Sequence, residues 1–255
     1  MTEFSTGKRV LITGGGVGIG ASIVRALAAS GFDILFTYHS STDEAAALAD
    51  ELSGSTPGIR IDNQQVDLTD KGAVEAFVSE FVEDQLFYGL VHNAGNSYDS
   101  LAALVNQDRA EELMQLNFWV LTRLVSACVR PMMRVKEGRI VGIGSVTAAH
   151  GVTGNAVYAA TKGAMNSYIK TLAIEVARKQ VCANYIAPGF VDTRLLEPYA
   201  EQRAEVEKNI PLQRYAQPEE IAGLVNYLLS PLGGYITGSV IPIDGGLNAS
   251  LAVRR

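Results

Sequence analysis

Short apolar runs recur along the chain at 9–13 (RVLIT), 33–38 (DILFTY), 64–68 (QQVDL), 89–95 (GLVHNAG), 138–145 (GRIVGIGS), 181–189 (VCANYIAPG) and 238–246 (GSVIPIDGG). Between them, ASIVRALAAS, KGAVEAFVSEFVEDQ, AEELMQLNFWVLTRLVSACVRPMM and YAATKGAMNSYIKTLAIEVARK carry apolar residues at three- and four-residue spacing, which predicts amphipathic helices. Strands that alternate with helices need crossover connections, and these give a parallel sheet covered on both faces. Runs that are apolar nearly throughout fit burial on both sides. With right-handed crossovers the expectation is an α/β fold, a Rossmann-type doubly wound sheet of about seven strands.

No Pro/Gly/Ser-rich linker interrupts the alternation, so residues 1–255 are read as a single domain. The exception to the alternation is 190–217, FVDTRLLEPYAEQRAEVEKNIPLQRYAQ, between a strand and a helix. A stretch that long is expected to be a substrate-covering segment. Sheets of this type bind ligands at the carboxyl ends of their strands.

Composition narrows the function classes. A formal charge of −6 argues against broad binding to nucleic acid or anionic membrane. No run of eighteen apolar residues occurs, and MTEFSTGKRVLITG enters a strand too early for a signal peptide, so a cytoplasmic protein is expected. Cys128 and Cys182 lie far apart in apolar stretches, and the three histidines lack ligand spacing, so neither a disulfide framework nor a metal is expected.

Candidate chemistry begins directly after the first run, with TGGGVGIG at 13–20 opening a helical pattern. Glycines there permit a tight turn and close approach of a pyrophosphate to the free N–H groups of a helix start. The spacing is G-x-x-x-G-x-G, with Gly14, Gly18 and Gly20, rather than the dehydrogenase G-x-G-x-x-G. A second feature is Tyr158 and Lys162 in NAVYAATKGAMNSY, four residues apart and therefore on one helix face.

Together these motifs resemble the short-chain dehydrogenase/reductase family, and the resemblance runs along essentially the whole chain. Its N-A-G turn is matched by Asn93, Ala94 and Gly95, its helix asparagine by Asn117, and its active serine by Ser145. Its PG after the sixth strand is matched by Pro188 and Gly189, followed by Val191, Asp192 and Thr193, and its closing DGG by Asp244, Gly245 and Gly246. The resemblance implies catalysis by Asn117, Ser145, Tyr158 and Lys162. Tyr158 would give a proton to a carbonyl oxygen as nicotinamide hydride reaches carbon, Ser145 would orient that oxygen, and Lys162 would hold the nicotinamide ribose. Asn117 would hold a water that resupplies the proton through Lys162. A free tyrosine titrates near about 10, and a cation one turn away would lower that value.

The same resemblance places a nicotinamide dinucleotide on Gly14, Gly16, Val17, Gly18, Ile19, Gly20, Asn93, Ala94, Gly95, Pro188, Gly189, Val191 and Thr193, with Asp67 and Leu68 at the adenine. An NAD enzyme of this kind carries an aspartate at the end of its second strand, and here Tyr38 stands there. His39, Ser40 and Ser41 could then donate to a 2′-phosphate, so the expected cofactor is NADPH/NADP. Val17 stands where many NADP-dependent relatives carry a basic residue, and His39 where an arginine is common. His92 replaces the family's usual asparagine, which is expected to be a packing variation.

RPMMRVKEGRIVGIGS, APGFVDT, IPLQRYAQPEEIAGLVNYLLS and YITGSVIPIDGG are most similar to 3-oxoacyl-acyl-carrier-protein reductases. That resemblance implies an acyl carrier protein as partner, docked on Lys136 and Lys179 with Arg134 and Arg178 beside them, near the active-site mouth. It also implies fatty-acid or polyketide/polyene-type synthesis and a homotetramer built through the helices that contain Trp119 and Tyr158. Two alternatives stay open: an alcohol or sugar dehydrogenase acting on a free small molecule, and a non-catalytic NADP-binding sensor.

Overall fold

The computed structural model describes residues 5–249. Seven strands form one parallel sheet in the order β3-β2-β1-β4-β5-β6-β7. They are β1 (Arg9–Thr13), β2 (Asp33–Tyr38), β3 (Ile61–Gln65), β4 (Gly89–His92), β5 (Gly138–Ile143), β6 (Val181–Pro188) and β7 (Val240–Ile243). The helices are α1 (Gly18–Ala29), α2 (Thr42–Ser55), α3 (Lys71–Phe77), α4 (Gln107–Met114), α5 (Val120–Val135), α6 (Ala156–Val176), α7 (Arg203–Asn209) and α8 (Pro218–Leu229).

Side chains alternate across each strand, so the sheet divides the core in two. Leu11, Leu35, Leu90 and Ile140 pack with α3, α5 and α6. Val10, Ile12, Ile34, Phe36, Val91 and Val141 pack with α1, α2 and α8 on the other face. The strand order reverses between β1 and β4, and the crevice beyond their carboxyl ends is the expected ligand position for such a sheet.

The third strand was expected over 64–68 and lies at Ile61–Gln65. It is an edge strand of mostly polar residues, so a search for apolar runs moved to Val66 and Leu68, which are core residues of the connection beyond it. Helix α2 carries an AAALADEL stripe that fits between β2 and β3 and was not among the four expected helices.

Segment 190–217 leaves β6, forms a 3-10 stretch at Arg194–Gln202 and then α7, and returns through a bridge between Val191 and Ala216. Arg203 holds Asp192 with two hydrogen bonds of 3.0 and 2.9 Å, and Phe190 stacks on Tyr215. The excursion is therefore a folded flap anchored at its base. No helix among the described residues is long and apolar enough to cross a membrane, and no group of three metal-ligating side chains occurs among them.

Candidate active site

The glycine loop leaves β1 against the turn after β4. Gly14 has φ +67°, and a Cβ there would lie 2.9 Å from the Ala94 Cα. A Cβ on Gly20 would lie 1.9 Å from the Gly14 carbonyl oxygen, so only glycine lets α1 start this close to β1. Val17 caps α1 without a side-chain hydrogen bond, and the first turn holds no acidic residue. The first N–H groups are thus left for a ligand, with the positive end of the helix dipole behind them. Gly16 abuts Ser41, and Gly18 approaches Thr193 from the flap. Ile19 turns toward the core instead. The loop, the uncapped helix and the flap form a groove that fits a dinucleotide pyrophosphate.

Asn93, Ala94 and Gly95 brace this groove more than they line it. Asn93 Nδ2 donates to the Gly14 carbonyl at 2.9 Å, and the N–H groups of Asn93 and Ala94 donate to the Thr13 hydroxyl. Gly95 keeps the space open, because a Cβ would crowd Asn117 Oδ1 at 3.1 Å and Lys162 Nζ at 3.2 Å. On the far side, Tyr38 ends β2 half-buried while His39 and Ser40 are exposed. Asp67 accepts from the Thr69 N–H and hydroxyl at 2.9 and 2.7 Å, and these bonds hold its carboxyl below the usual range. Its other oxygen lies 3.8 Å from His39 Nε2. Leu68 is a core residue. Pro188 and Gly189 pack against the Asp244 turn, and Val191 is buried at the base of the flap.

The four residues assigned to catalysis come from three elements. Between α4 and α5 the helix widens into a π turn at Gln115–Trp119, closed by the Val120 N–H on the Gln115 carbonyl. Such turns re-aim side chains at functional sites. Here the widened turn buries Asn117, whose Nδ2 donates to the Asn96 carbonyl at 3.1 Å and to Thr161 Oγ1 at 3.0 Å. Its Oδ1 accepts the Asn96 N–H at 3.1 Å. Lys162 is buried on α6 and donates to the Ile143 carbonyl at 3.0 Å, with Nζ 5.6 Å from the Tyr158 ring centroid. Burial brings its pKa down to about 8.

Ser145 follows β5, and its Oγ accepts from Thr147 N–H at 3.2 Å and Thr147 Oγ1 at 2.9 Å. With both lone pairs used, its own proton is available to an acceptor at the mouth. Burial pushes the Tyr158 phenol upward, while its hydrogen bond to Ser145 lowers it and Asp99 raises it. The expected lowering by Lys162 does not occur in the chain alone, because burial dominates at Tyr158 and the lysine is held by Ile143.

Tyr185 is a support that the motifs did not indicate. Its Oη accepts the Ser145 N–H at 2.9 Å and donates to the Ser145 carbonyl at 3.2 Å, and a Cβ on Gly144 would lie 1.7 Å from its ring. Thr161 is another, joining Asn117 to the Tyr158 carbonyl at 2.8 Å. Only its position three residues after Tyr158 could have hinted at it. Asp99 and Ser100 bond Asn155 and Gly154 across the mouth at 3.0 and 2.7 Å.

The four basic residues are not at this mouth. Arg134, Lys136, Arg178 and Lys179 are exposed, but they sit where α5 and the turn after α6 run into the starts of β5 and β6. Lys179 is twenty-one positions beyond Tyr158 along α6 and its 3-10 extension, which at a helical rise is about 30 Å away. Lys136 is similarly distant from Asn117. The fold puts a helix end and a strand's carboxyl end on opposite edges of the sheet, so the expectation of cations beside the chain's own mouth is corrected.

The profile of the family described as Enoyl-(Acyl carrier protein) reductase matches residues 15–248. This chain belongs to the short-chain dehydrogenase/reductase family. Among curated relatives, the 3-oxoacyl-[acyl-carrier-protein] reductase FabG of Escherichia coli (strain K12) is 34% identical over 94% of this chain and 97% of its own. An uncharacterized oxidoreductase, YmfI of Bacillus subtilis (strain 168), is also 34% identical, over 94% and 98%. Among solved structures, a blue fluorescent protein from a metagenomic library, in complex with NADPH, is 35% identical with a TM-score of 0.86, over 95% of this chain and 98% of that one. A short-chain dehydrogenase/reductase from Serratia marcescens gives 33% and 0.85 over the same shares. The seven-stranded parallel sheet with helices on both faces is thus a short-chain dehydrogenase/reductase fold, and the chain is an oxidoreductase of that family.

Proposed function

We propose that this chain reduces a 3-oxoacyl thioester to the 3-hydroxyacyl form with NADPH. The observation that carries the chemistry is the convergence of Asn117, Ser145, Tyr158 and Lys162 on one mouth beside a groove shaped for a dinucleotide. The glycine loop and α1 would hold the pyrophosphate, Thr193 would close over it, and His39, Ser40 and Ser41 would receive a 2′-phosphate that no β2 aspartate repels. NADPH binding by the metagenomic relative supports the same choice. When bound, the cofactor supplies hydride to the carbonyl carbon.

The chain's own residues manage the proton. Ser145 donates to the substrate oxygen and orients it. Tyr158, whose buried phenol favours the protonated form, gives that oxygen a proton as negative charge develops. The ammonium of Lys162, held by the Ile143 carbonyl in the chain alone, would stabilise the phenolate that remains once the cofactor is bound, and Asn117 anchors the path that returns the proton.

The thioester reading draws on the FabG likeness. Docking of an acyl carrier protein on Lys136 and Lys179 requires a second copy, since each chain's basic end is remote from its own mouth. Trp119, at the end of the π turn that leads into α5, and Ile174 on α6 are exposed, and antiparallel pairing of the α5 and α6 faces would bring one copy's basic end toward the other's mouth. A homotetramer contains such pairs.

That same placement favours a second reading, a reductase of free ketones that makes no use of these cations. NADPH oxidation with one 3-oxoacyl chain, presented on acyl carrier protein and on a small thiol, separates the two. The first reading expects strong preference for the carrier; activity on free ketones alone refutes it.

A further inference from the structure

Among the fully buried polar side chains of the described residues, His92 has no task in this mechanism. His92 ends β4, is inaccessible to solvent, and places Nδ1 3.0 Å from the Thr13 hydroxyl. That oxygen already accepts the N–H groups of Asn93 at 3.1 Å and Ala94 at 3.0 Å. A hydroxyl has two lone pairs and one proton, so the Thr13 proton goes to Nδ1 and the imidazole carries its own proton on Nε2. Burial, reinforced by the Lys162 charge, brings this ring down to about 3 and keeps it neutral.

Nε2 is buried and makes no direct hydrogen bond, and the backbone groups that partly offset the lowering of the ring's pKa belong to Leu116 and Asn117. Both belong to the widened turn that carries Asn117. A buried N–H left unpaired costs about 1–3 kcal/mol. Contacts in a catalytic constellation that are long in the unliganded enzyme tighten in its complexes.

The geometry points to His92 as a positioning residue: once the site is liganded, its Nε2–H is donated to the Leu116–Asn117 turn, which fixes Asn117 and couples the glycine loop, through Thr13, to the proton path. An asparagine side chain is shorter than the imidazole and has no group at the place of Nε2, so the histidine adds a link. The inference rests on the catalytic roles proposed above, not on which ketone is reduced.

Two variants divide the ring's functions. An asparagine amide falls near the place of Nδ1 and a glutamine amide near that of Nε2. His92→Asn is expected to lower kcat about five-fold, the loss of about one hydrogen bond, with the NADPH dissociation constant changed by less than about two-fold. His92→Gln is expected to restore most of kcat. Imidazole 15N NMR of the wild-type protein is expected to show a neutral ring protonated on Nε2. A ring protonated on Nδ1, or a folded His92→Asn enzyme with unchanged kcat, overturns the inference. Should the glutamine variant not fold, the NMR tautomer and the asparagine variant decide. A wild type that turns over ketones but no 3-oxoacyl thioester refutes the substrate reading and leaves this test intact.

Discussion

Tyr185→Phe tests whether the serine is held in place by β6. The phenol accepts the Ser145 N–H at 2.9 Å and donates to the Ser145 carbonyl at 3.2 Å, and it is 1% exposed. Phenylalanine retains the ring that fills the space beside Gly144 but leaves both backbone groups without this partner. An unsatisfied buried pair of this kind costs about 1–3 kcal/mol. At about 2–4 °C per kcal/mol for a chain of this size, the melting temperature falls by about 2–12 °C. The catalytic consequence is separate. Ser145 Oγ is set by a backbone that now relaxes, and misplacement by about 1 Å can cost a hundred-fold in rate. A shift of a few tenths of an ångström then lowers kcat about ten-fold.

Calorimetry gives the first quantity, steady-state reduction the second, and NADPH fluorescence titration a control, because Tyr185 touches none of the groove. A lower melting temperature with unchanged kcat would refute the positioning argument and leave Tyr185 as a core hydrogen bond. An NADPH affinity that falls as far as kcat would show that the change has spread beyond Ser145.

Tyr158→Phe is expected to abolish reduction and preserve NADPH binding; retained turnover means that another group supplies the proton. The Lys162 ammonium, with its pKa brought to about 8 by burial, is charged below that pH and neutral above it, so kcat/KM for NADPH in reduction falls as pH rises through about 8. A flat profile to pH 10 would show that its charge is not needed. Tyr38→Asp places a carboxylate at the end of β2 and is expected to move the NADPH/NADH ratio of kcat/KM toward NADH by at least about ten-fold; an unchanged ratio means that selectivity resides elsewhere.

The fold was legible where the chemistry of the strands is extreme. Six apolar runs became strands: five are buried on both faces, which demands continuous apolar sequence, while β7 is a partly exposed edge strand that is apolar all the same. The third failed because the edge strand Ile61–Gln65 has one neighbour and tolerates polar residues. The four catalytic side chains were legible as motifs, yet their supports were not. Tyr185 acts on Ser145 from forty residues away across the β5–β6 pairing, and no local spacing encodes that contact. The widened turn at Asn117 is also silent in sequence, since QLNFW fits an ordinary helix by its periodicity.

The docking residues show a different limit. Lys136 and Lys179 follow helices whose earlier turns hold catalytic groups, and nearness in sequence suggested nearness in space. A helix of twenty-one residues spans about 30 Å, so a group at its start and one beyond its end face opposite edges of the sheet. Charge-reversed Lys136→Glu/Lys179→Glu chains mixed with Tyr158→Phe chains make the point testable. If docking serves a neighbour's mouth, intact basic ends on the Tyr158→Phe chains restore activity on carrier-bound substrate to active sites of the reversed chains. Mixed assemblies with no recovery over the reversed enzyme alone would return the basic ends to ordinary helix-terminal charges and favour the free-ketone reading.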